Sequence, residues 1–176
     1  MFPDRLATAR LVLRPVAADD AEAIFAGYAR DPEVTRHLIW RPHRGIAETR
    51  AYLAECLALS PALARVYAIT GRGDGALLGC LHLRRPVPHR VEAGYVLGRS
   101  CWGRGIMTEA LRAAVDWALA QPGVYRIGAV CDVDNPASAR VMEKAGLARE
   151  GLLRAWMVHP NVSDAPRDCF IYGRAP

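Results

Sequence analysis

A strand, a glycine-rich loop, a helix and a second strand follow one another between residues 91 and 130. The strand VEAGYVL at 91–97 leads into the loop GRG at 103–105. Apolar residues at helical spacing then predict a helix over 106–120, and YRIGAV at 125–130 reads as the next strand. A helical crossover joins strands that run parallel. The middle of the chain therefore predicts one parallel pair.

The preceding part of the chain predicts antiparallel pairing. Strand-like patterns lie at 10–16, 65–70 and 76–84, and the last two flank the glycine-rich turn GRGDG. Helices are predicted over 17–29, which opens with acidic residues, and over 46–59, which ends at Ser-Pro. Short turns join the strands from 65 to 97, so this half of the sheet should be antiparallel.

The C-terminal part adds the helix with the clearest boundaries. Asn135 is a good N-cap, Pro136 takes the first helical position, and Gly146 lies just past the end. Further strands are predicted near 147–158 and 169–172. The sequence predicts a mixed α/β fold in a single domain over residues 1–176. Its central sheet is mostly antiparallel, has one parallel crossover and is flanked by helices.

The GRG loop stands where a helix begins. Backbone N–H groups lack partners there, and the helix dipole favours negative charge. Gly103 and Gly105 have no side chains, so a phosphate oxygen can approach these amides. Thr108 adds a hydroxyl and Arg104 a charge. The pattern predicts a pyrophosphate site, although a tight strand-to-helix turn would explain the same glycines.

Two classes of ligand suit such a site. A dinucleotide fold needs several crossovers and a third glycine where Thr108 stands, and the antiparallel first half also argues against it. Coenzyme A would instead place its pyrophosphate at the mouth of the helix and its pantetheine arm along a strand edge.

The net charge of +5 raises the question of nucleic-acid binding. Only Lys144 among the 23 basic residues is lysine, which indicates a general preference for arginine. No helix-turn-helix, zinc-finger or aromatic–glycine RNA motif occurs. We therefore expect no nucleic-acid partner, while a small polyanionic ligand suits the charge.

Membrane and metal partners are not expected either. No uncharged apolar stretch approaches 18 residues, and the N-terminal MFPDRLATAR lacks the apolar run of a signal peptide. The five cysteines are scattered without CxxC spacing, which is typical of reduced thiols in a cytoplasmic protein. His82, His89 and His159 show no metal-binding spacing.

Two stretches carry a family resemblance. VEAGYVLGRSCWGRGIMTEAL contains a Glu-x-Gly-Tyr strand and a Trp-Gly-x-Gly loop before a Thr-Glu-Ala helix. VCDVDNPASARVMEKAGLAREGLLR contains an Asn-x-x-Ser helix ending in Glu-Lys-x-Gly. Together they resemble the GNAT superfamily of acyl-CoA-dependent N-acetyltransferases, and more narrowly its ribosomal-protein N-terminal acetyltransferases. The similarity covers roughly residues 10–172.

The resemblance implies a coenzyme site. The end of the strand at 91–97 would bind the pantetheine arm and the thioester carbonyl, through Tyr95, Val96 and Leu97. The loop and first helical turn would hold the pyrophosphate, through Gly103, Arg104, Gly105, Ile106, Met107 and Thr108. Asn135 would contact the pantetheine amides, and Ser138 would protonate the leaving sulfur.

Each chemical role has a structural alternative. Asn135 can be an N-cap alone, and Ser138 can be a capping aid in the first helical turn. Glu92 can accept the proton of the incoming ammonium, or it can be a strand carboxylate paired with Arg90 or Arg126.

The resemblance implies an N-acetyltransferase that moves an acetyl group from acetyl-CoA to a primary amine by direct transfer in a ternary complex. The acceptor would be a protein or peptide N-terminus or a small amine, bound near a loop within 156–170. A homodimer fits this class of protein. The alternative of another class is a non-catalytic CoA-binding regulator.

Overall fold

The computed structural model describes residues 2–176 and contains eight strands and five α-helices. The strands are β1 Leu6–Ala7, β2 Leu11–Pro15, β3 Ala64–Gly71, β4 Leu77–Val87, β5 Arg90–Leu97, β6 Arg126–Asp132, β7 Ala148–Met157 and β8 Arg167–Arg174. The helices are α1 Ala21–Ile24, α2 Pro32–Thr35, α3 Ile46–Ala58, α4 Ile106–Leu119 and α5 Pro136–Lys144. None of the described helices is long and apolar enough to cross a bilayer.

The strands form one sheet in the order β1-β2-β3-β4-β5-β6-β8-β7. Every neighbouring pair is antiparallel except β5 and β6, which run parallel around the crossover helix α4. The predicted fold class is confirmed. Sequence analysis did not predict the short β1 and α2, or the insertion of β8 between β6 and β7.

The parallel pair is short, and the two strands then separate. Its register joins Arg90 to Arg126, Val91 to Ile127 and Glu92 to Gly128. Both strands continue beyond these residues, to Leu97 and to Asp132. Within the described chain, β5 therefore has an open edge from residue 93 onward, and a cleft opens in the middle of the sheet.

Alternating side chains divide the two faces of the sheet. On one face, Val91, Ile127 and Ala129 belong to a large apolar core with the buried side of α4. On the other face, Val66, Ala68 and Cys80 form a second core beneath α1, α2 and α3. The cleft between β5 and β6 thus has α4 and α5 on one side and the N-terminal helices on the other.

The helix boundaries follow local sequence signals. The Asn135 side chain accepts a hydrogen bond from the Ser138 N–H at 3.1 Å, which confirms the N-cap of α5. Gly146 ends that helix with φ of 94°. The predicted helix over 17–29 is irregular, because a 3₁₀ turn at Ala18–Asp20 and a π turn at Phe25–Ala29 flank α1.

Candidate active site

The cleft is bridged at its α5 side by two hydroxyl groups. The Tyr95 hydroxyl lies 2.8 Å from Ser138 Oγ and donates to the Ser138 carbonyl at 3.2 Å. Burial raises the pKa of Tyr95 well above its usual value, while the contact with Ser138 opposes the rise. Tyr95 therefore stays protonated and fixes the Ser138 hydroxyl beside the open edge of β5.

The end of β5 is held by β4 and by an indole. Gly79 of β4 pairs with Leu97, and a Cβ there would lie 2.3 Å from the Val96 carbonyl oxygen, so only glycine permits this approach. The Trp102 Nε1–H donates to the Leu97 carbonyl at 2.8 Å. Sequence analysis missed both contacts, although Trp102 belongs to the quoted loop motif.

The glycine loop requires its glycines for backbone reasons as well as for access. Gly103 and Gly105 have φ of 72° and 71°, a region that side chains disfavour. Ile106 and Met107 are 5% and 4% exposed and pack in the core, so of the predicted coenzyme residues these two can offer only backbone N–H groups. With Thr108 they form the first turn of α4, where amides have no intrahelical acceptor.

Residues distant in sequence anchor this loop. Glu109 accepts a hydrogen bond from the Thr8 hydroxyl at 2.5 Å and pairs with Arg10 Nε at 2.6 Å. Arg10 Nη1 also donates to the Arg104 carbonyl at 3.1 Å. Partial burial acts to raise the pKa of Glu109, but the contacts with Thr8 and Arg10 hold it below its usual value. The carboxylate thus stays charged and fixes the turn between β1 and β2 to the start of α4.

A surface cavity of about 540 Å³ lies beside the loop. Its lining includes Gly103, Gly105 and Thr108, the cations Arg10, Arg112 and Lys144, and the carboxylates Glu109, which pairs with Arg10, and Asp116. The Arg112 guanidinium donates to the Lys144 carbonyl, which holds α4 against the end of α5. The cavity places bare amides and positive charge together, an arrangement suited to phosphate groups.

Glu92 lies at the closed end of the cleft, with arginines around it. Its carboxylate pairs with Arg84 Nη2 at 2.6 Å and with Arg90 Nη2 at 3.1 Å. Arg126, the other partner considered from sequence, pairs with Glu150 instead. The structure therefore supplies the partners required by the strand-carboxylate alternative, and the role of Glu92 as a base stays a prediction.

Residues 10–148, well over half of the chain, match the family model described as the acetyltransferase (GNAT) domain. The chain belongs to the GNAT acetyltransferase family. As a member of this family it is an acetyl-CoA-dependent acetyltransferase.

Two relatives in sequence and one solved structure are similar to this GNAT protein. The uncharacterized N-acetyltransferase YoaA of Bacillus subtilis (strain 168) is 33% identical over 175 residues, 98% of this chain and 96% of YoaA. The ribosomal-protein-serine acetyltransferase of Escherichia coli (strain K12) is 32% identical over 103 residues, 57% of this chain and 56% of that enzyme. RimL, a ribosomal L7/L12 alpha-N-protein acetyltransferase solved in complex with coenzyme A, superposes with a TM-score of 0.84 over 97% of each chain at 22% identity. The predicted resemblance is confirmed.

Two loops cover the face of this GNAT enzyme opposite α4 and α5. The Asn161 side chain donates to the carbonyls of Thr35 and Trp40 at 2.8 Å each. Arg41 pairs with Asp164 at 3.2 Å between the same two segments. The loop predicted at the substrate side is thus fastened to the segment that follows α2, and together they border the open end of the cleft.

Proposed function

We propose that this GNAT enzyme transfers an acetyl group from acetyl-CoA to a primary amine by direct transfer in a ternary complex. The observation that carries the proposal is the separation of β5 from β6 after Glu92. An extended pantetheine arm can hydrogen-bond to such an open strand edge as an added strand would. The open edge lies between the glycine loop and the Tyr95–Ser138 pair. The pyrophosphate end of the arm would contact the loop, and the thioester end would lie beside the Ser138 hydroxyl.

The residues around the loop fit a pyrophosphate. Nothing lies within 4 Å of a Cβ built at Gly103, so a phosphate oxygen can approach the bare backbone there. We assign the amides of the first turn of α4 to the pyrophosphate. The neighbouring cations Arg10, Arg112 and Lys144 suit the remaining negative charge of the coenzyme.

The transfer needs orientation and two proton movements. Acetyl-CoA supplies the activated acyl group. We assign the backbone at Val96 and Leu97 to the thioester, the Asn135 amide group to the pantetheine arm and the Ser138 hydroxyl to protonation of the sulfur. Glu92 would accept the ammonium proton only if its carboxylate exchanged its arginine contacts.

The acceptor belongs to the class of peptide N-termini or small amines. The Escherichia coli relative is named as a ribosomal-protein-serine acetyltransferase, which supports a protein or peptide acceptor. We assign this acceptor to the face opposite α4 and α5, beneath the loop fastened by Asn161. The reaction would run in the cytoplasm, where five free thiols remain reduced.

Amine-dependent release of free thiol from acetyl-CoA tests this function. Peptides with different N-termini, amino acids, polyamines and aminoglycosides are supplied in turn, and the acetylated product is identified by mass. We expect thiol release to require one amine class and to match product in a one-to-one ratio. Tight acetyl-CoA binding without transfer to any of them would instead favour a regulatory CoA-binding protein.

A further inference from the structure

A buried carboxylate stands at the open end of the cleft with two histidines around it. Asp132 ends β6, and its side chain is fully buried. His37 Nδ1 lies 4.0 Å from one carboxylate oxygen, and His159 Nε2 lies 3.7 Å from the other. Arg167 Nε completes the group at 2.5 Å. The acetyl transfer proposed above assigns no role to any of these four side chains.

The register places this group at the level of the thioester site. Glu92 and Gly128 are the last paired residues, and four residues further along the two strands stand Val96 and Asp132. By strand alternation the Asp132 side chain lies on the face opposite α4 and α5, because Cys131 and Ala129 belong to the core with α4. The coenzyme and Asp132 therefore border one opening from opposite faces.

His37 turns one edge toward Asp132 and keeps other atoms accessible. Its Nδ1 is buried without a hydrogen-bond partner among residues 2–176, whereas 18% of its side chain is exposed. At 4.0 Å the two groups are in electrostatic contact and not hydrogen-bonded. If Nδ1 moved within hydrogen-bonding distance of Asp132, the carboxylate would orient the imidazole and the second ring nitrogen could exchange protons. Contacts between catalytic groups are often long in the absence of substrate and shorten when it binds.

The surroundings keep this imidazole neutral at physiological pH. Burial lowers the pKa of His37, and Arg36, His159 and Arg167 act in the same direction. Asp132 is the one facing group that acts to raise it. A neutral imidazole is the form that can accept a proton.

We propose that His37 is the base that deprotonates the acceptor ammonium, with Asp132 as its positioning residue. This inference rests on the proposed function. The ammonium gives one proton to Nε2 of neutral His37, and the freed amine attacks the thioester carbonyl carbon. The new C–N bond replaces the C–S bond, the second nitrogen proton ends on the departing sulfur, and His37 returns its proton to solvent.

Glu92 is the competing base, and its position differs. Four residues separate it from Val96 along β5, which is about 13 Å at the rise of an extended strand. Its carboxylate is also held by two arginines. His37 differs in both respects. Its neighbour Asp132 lies at the level of Val96, and no ion pair with an arginine holds its ring among the residues that the structure describes.

The pH dependence of kcat/KM for the amine tests the proposal, in the wild type and in His37→Gln, Glu92→Gln and His43→Gln. His43 is the matched control because it lies in the same segment, burial also lowers its pKa, and its Nδ1 is hydrogen-bonded to the Thr49 hydroxyl and not directed at a carboxylate. We expect His37→Gln to lose about a hundredfold at pH 7 with unchanged acetyl-CoA affinity. The loss should shrink above the pKa of the acceptor amine, about 8 for an α-amino group. Imidazole added to His37→Ala should restore part of the rate, and His43→Gln should keep the wild-type profile.

Other results would overturn the assignment. A wild-type pH profile in His37→Gln, or the same pH-dependent loss in Glu92→Gln in its place, would move the base elsewhere. If the His37 variants do not fold, the acidic limb of the wild-type profile decides: its pKa must lie below 6.5 and match that of the His37 ring measured by NMR. If the wild type turned over none of the amines supplied, the proposed function itself would be overturned, and this inference with it.

Discussion

Ser138 makes one contact through its backbone and another through its side chain. Its N–H is bound by the Asn135 side chain, and its hydroxyl lies 2.8 Å from the Tyr95 hydroxyl. Replacing the hydroxyl leaves the N-cap intact, because the cap uses only the backbone of Ser138. A chemical role of the hydroxyl can therefore be separated from the stability of α5.

Ser138→Ala should reduce turnover most at high pH, where solvent supplies protons poorly. Tyr95→Phe is the companion variant, because it removes the hydroxyl–hydroxyl contact and the bond to the Ser138 carbonyl but leaves the Ser138 hydroxyl. Ser138→Ala should cost about 1 kcal/mol of unfolding free energy, the usual value of one hydrogen bond, and Tyr95→Phe, which loses two, up to about 2 kcal/mol. Steady-state rates across pH are the measurement. If both variants showed the same small, pH-independent loss, Ser138 would be a structural residue only.

At the scale of elements, the start of α4 depends on glycines whose backbone lies in the left-handed region. Gly123, beyond the other end of the helix, shares this property with Gly103: their φ angles are 75° and 72°, and neither would bring a Cβ within 4 Å of another atom. The 14 residues of α4 span about 21 Å. A side chain would therefore be equally strained at Gly103, in the proposed coenzyme site, and at Gly123, which is distant from it.

Gly103→Ala and Gly123→Ala should therefore lose similar stability, about 1 kcal/mol each, since both force a side chain into the left-handed region. Only Gly103→Ala should weaken acetyl-CoA binding, by about tenfold, because its methyl group occupies the space of the phosphate oxygens. Titration calorimetry measures both affinities. Equal affinities in two folded variants would place the pyrophosphate elsewhere.

Signals that lie within a few residues of one another could be read from the sequence. Asn135, Pro136 and Gly146 predicted the limits of α5, and the GRG loop predicted the start of α4. The anchoring of that loop by Arg10 joins residues 99 positions apart and has no local pattern. The sequence did not predict the pair of His37 and Asp132 for the same reason, since only the folded chain brings the segment after α2 to the end of β6.

For the whole molecule, the parallel pair in an otherwise antiparallel sheet determines where the site lies. The two strands separate after three paired residues, and the opening connects both faces of the sheet. The glycine loop and α5 border it on one side, and the segment carrying His37 borders it on the other. Donor and acceptor can thus approach from opposite faces, as direct transfer requires.

The melting temperature with and without acetyl-CoA tests most directly whether this cleft is a coenzyme site. At a ligand concentration 100 times the Kd, binding adds about 2.7 kcal/mol to the unfolding free energy. For a chain of 176 residues this corresponds to a rise of about 5–10 °C. The account predicts this rise with acetyl-CoA and none with NAD or NADP. A rise with either dinucleotide and none with acetyl-CoA would contradict it.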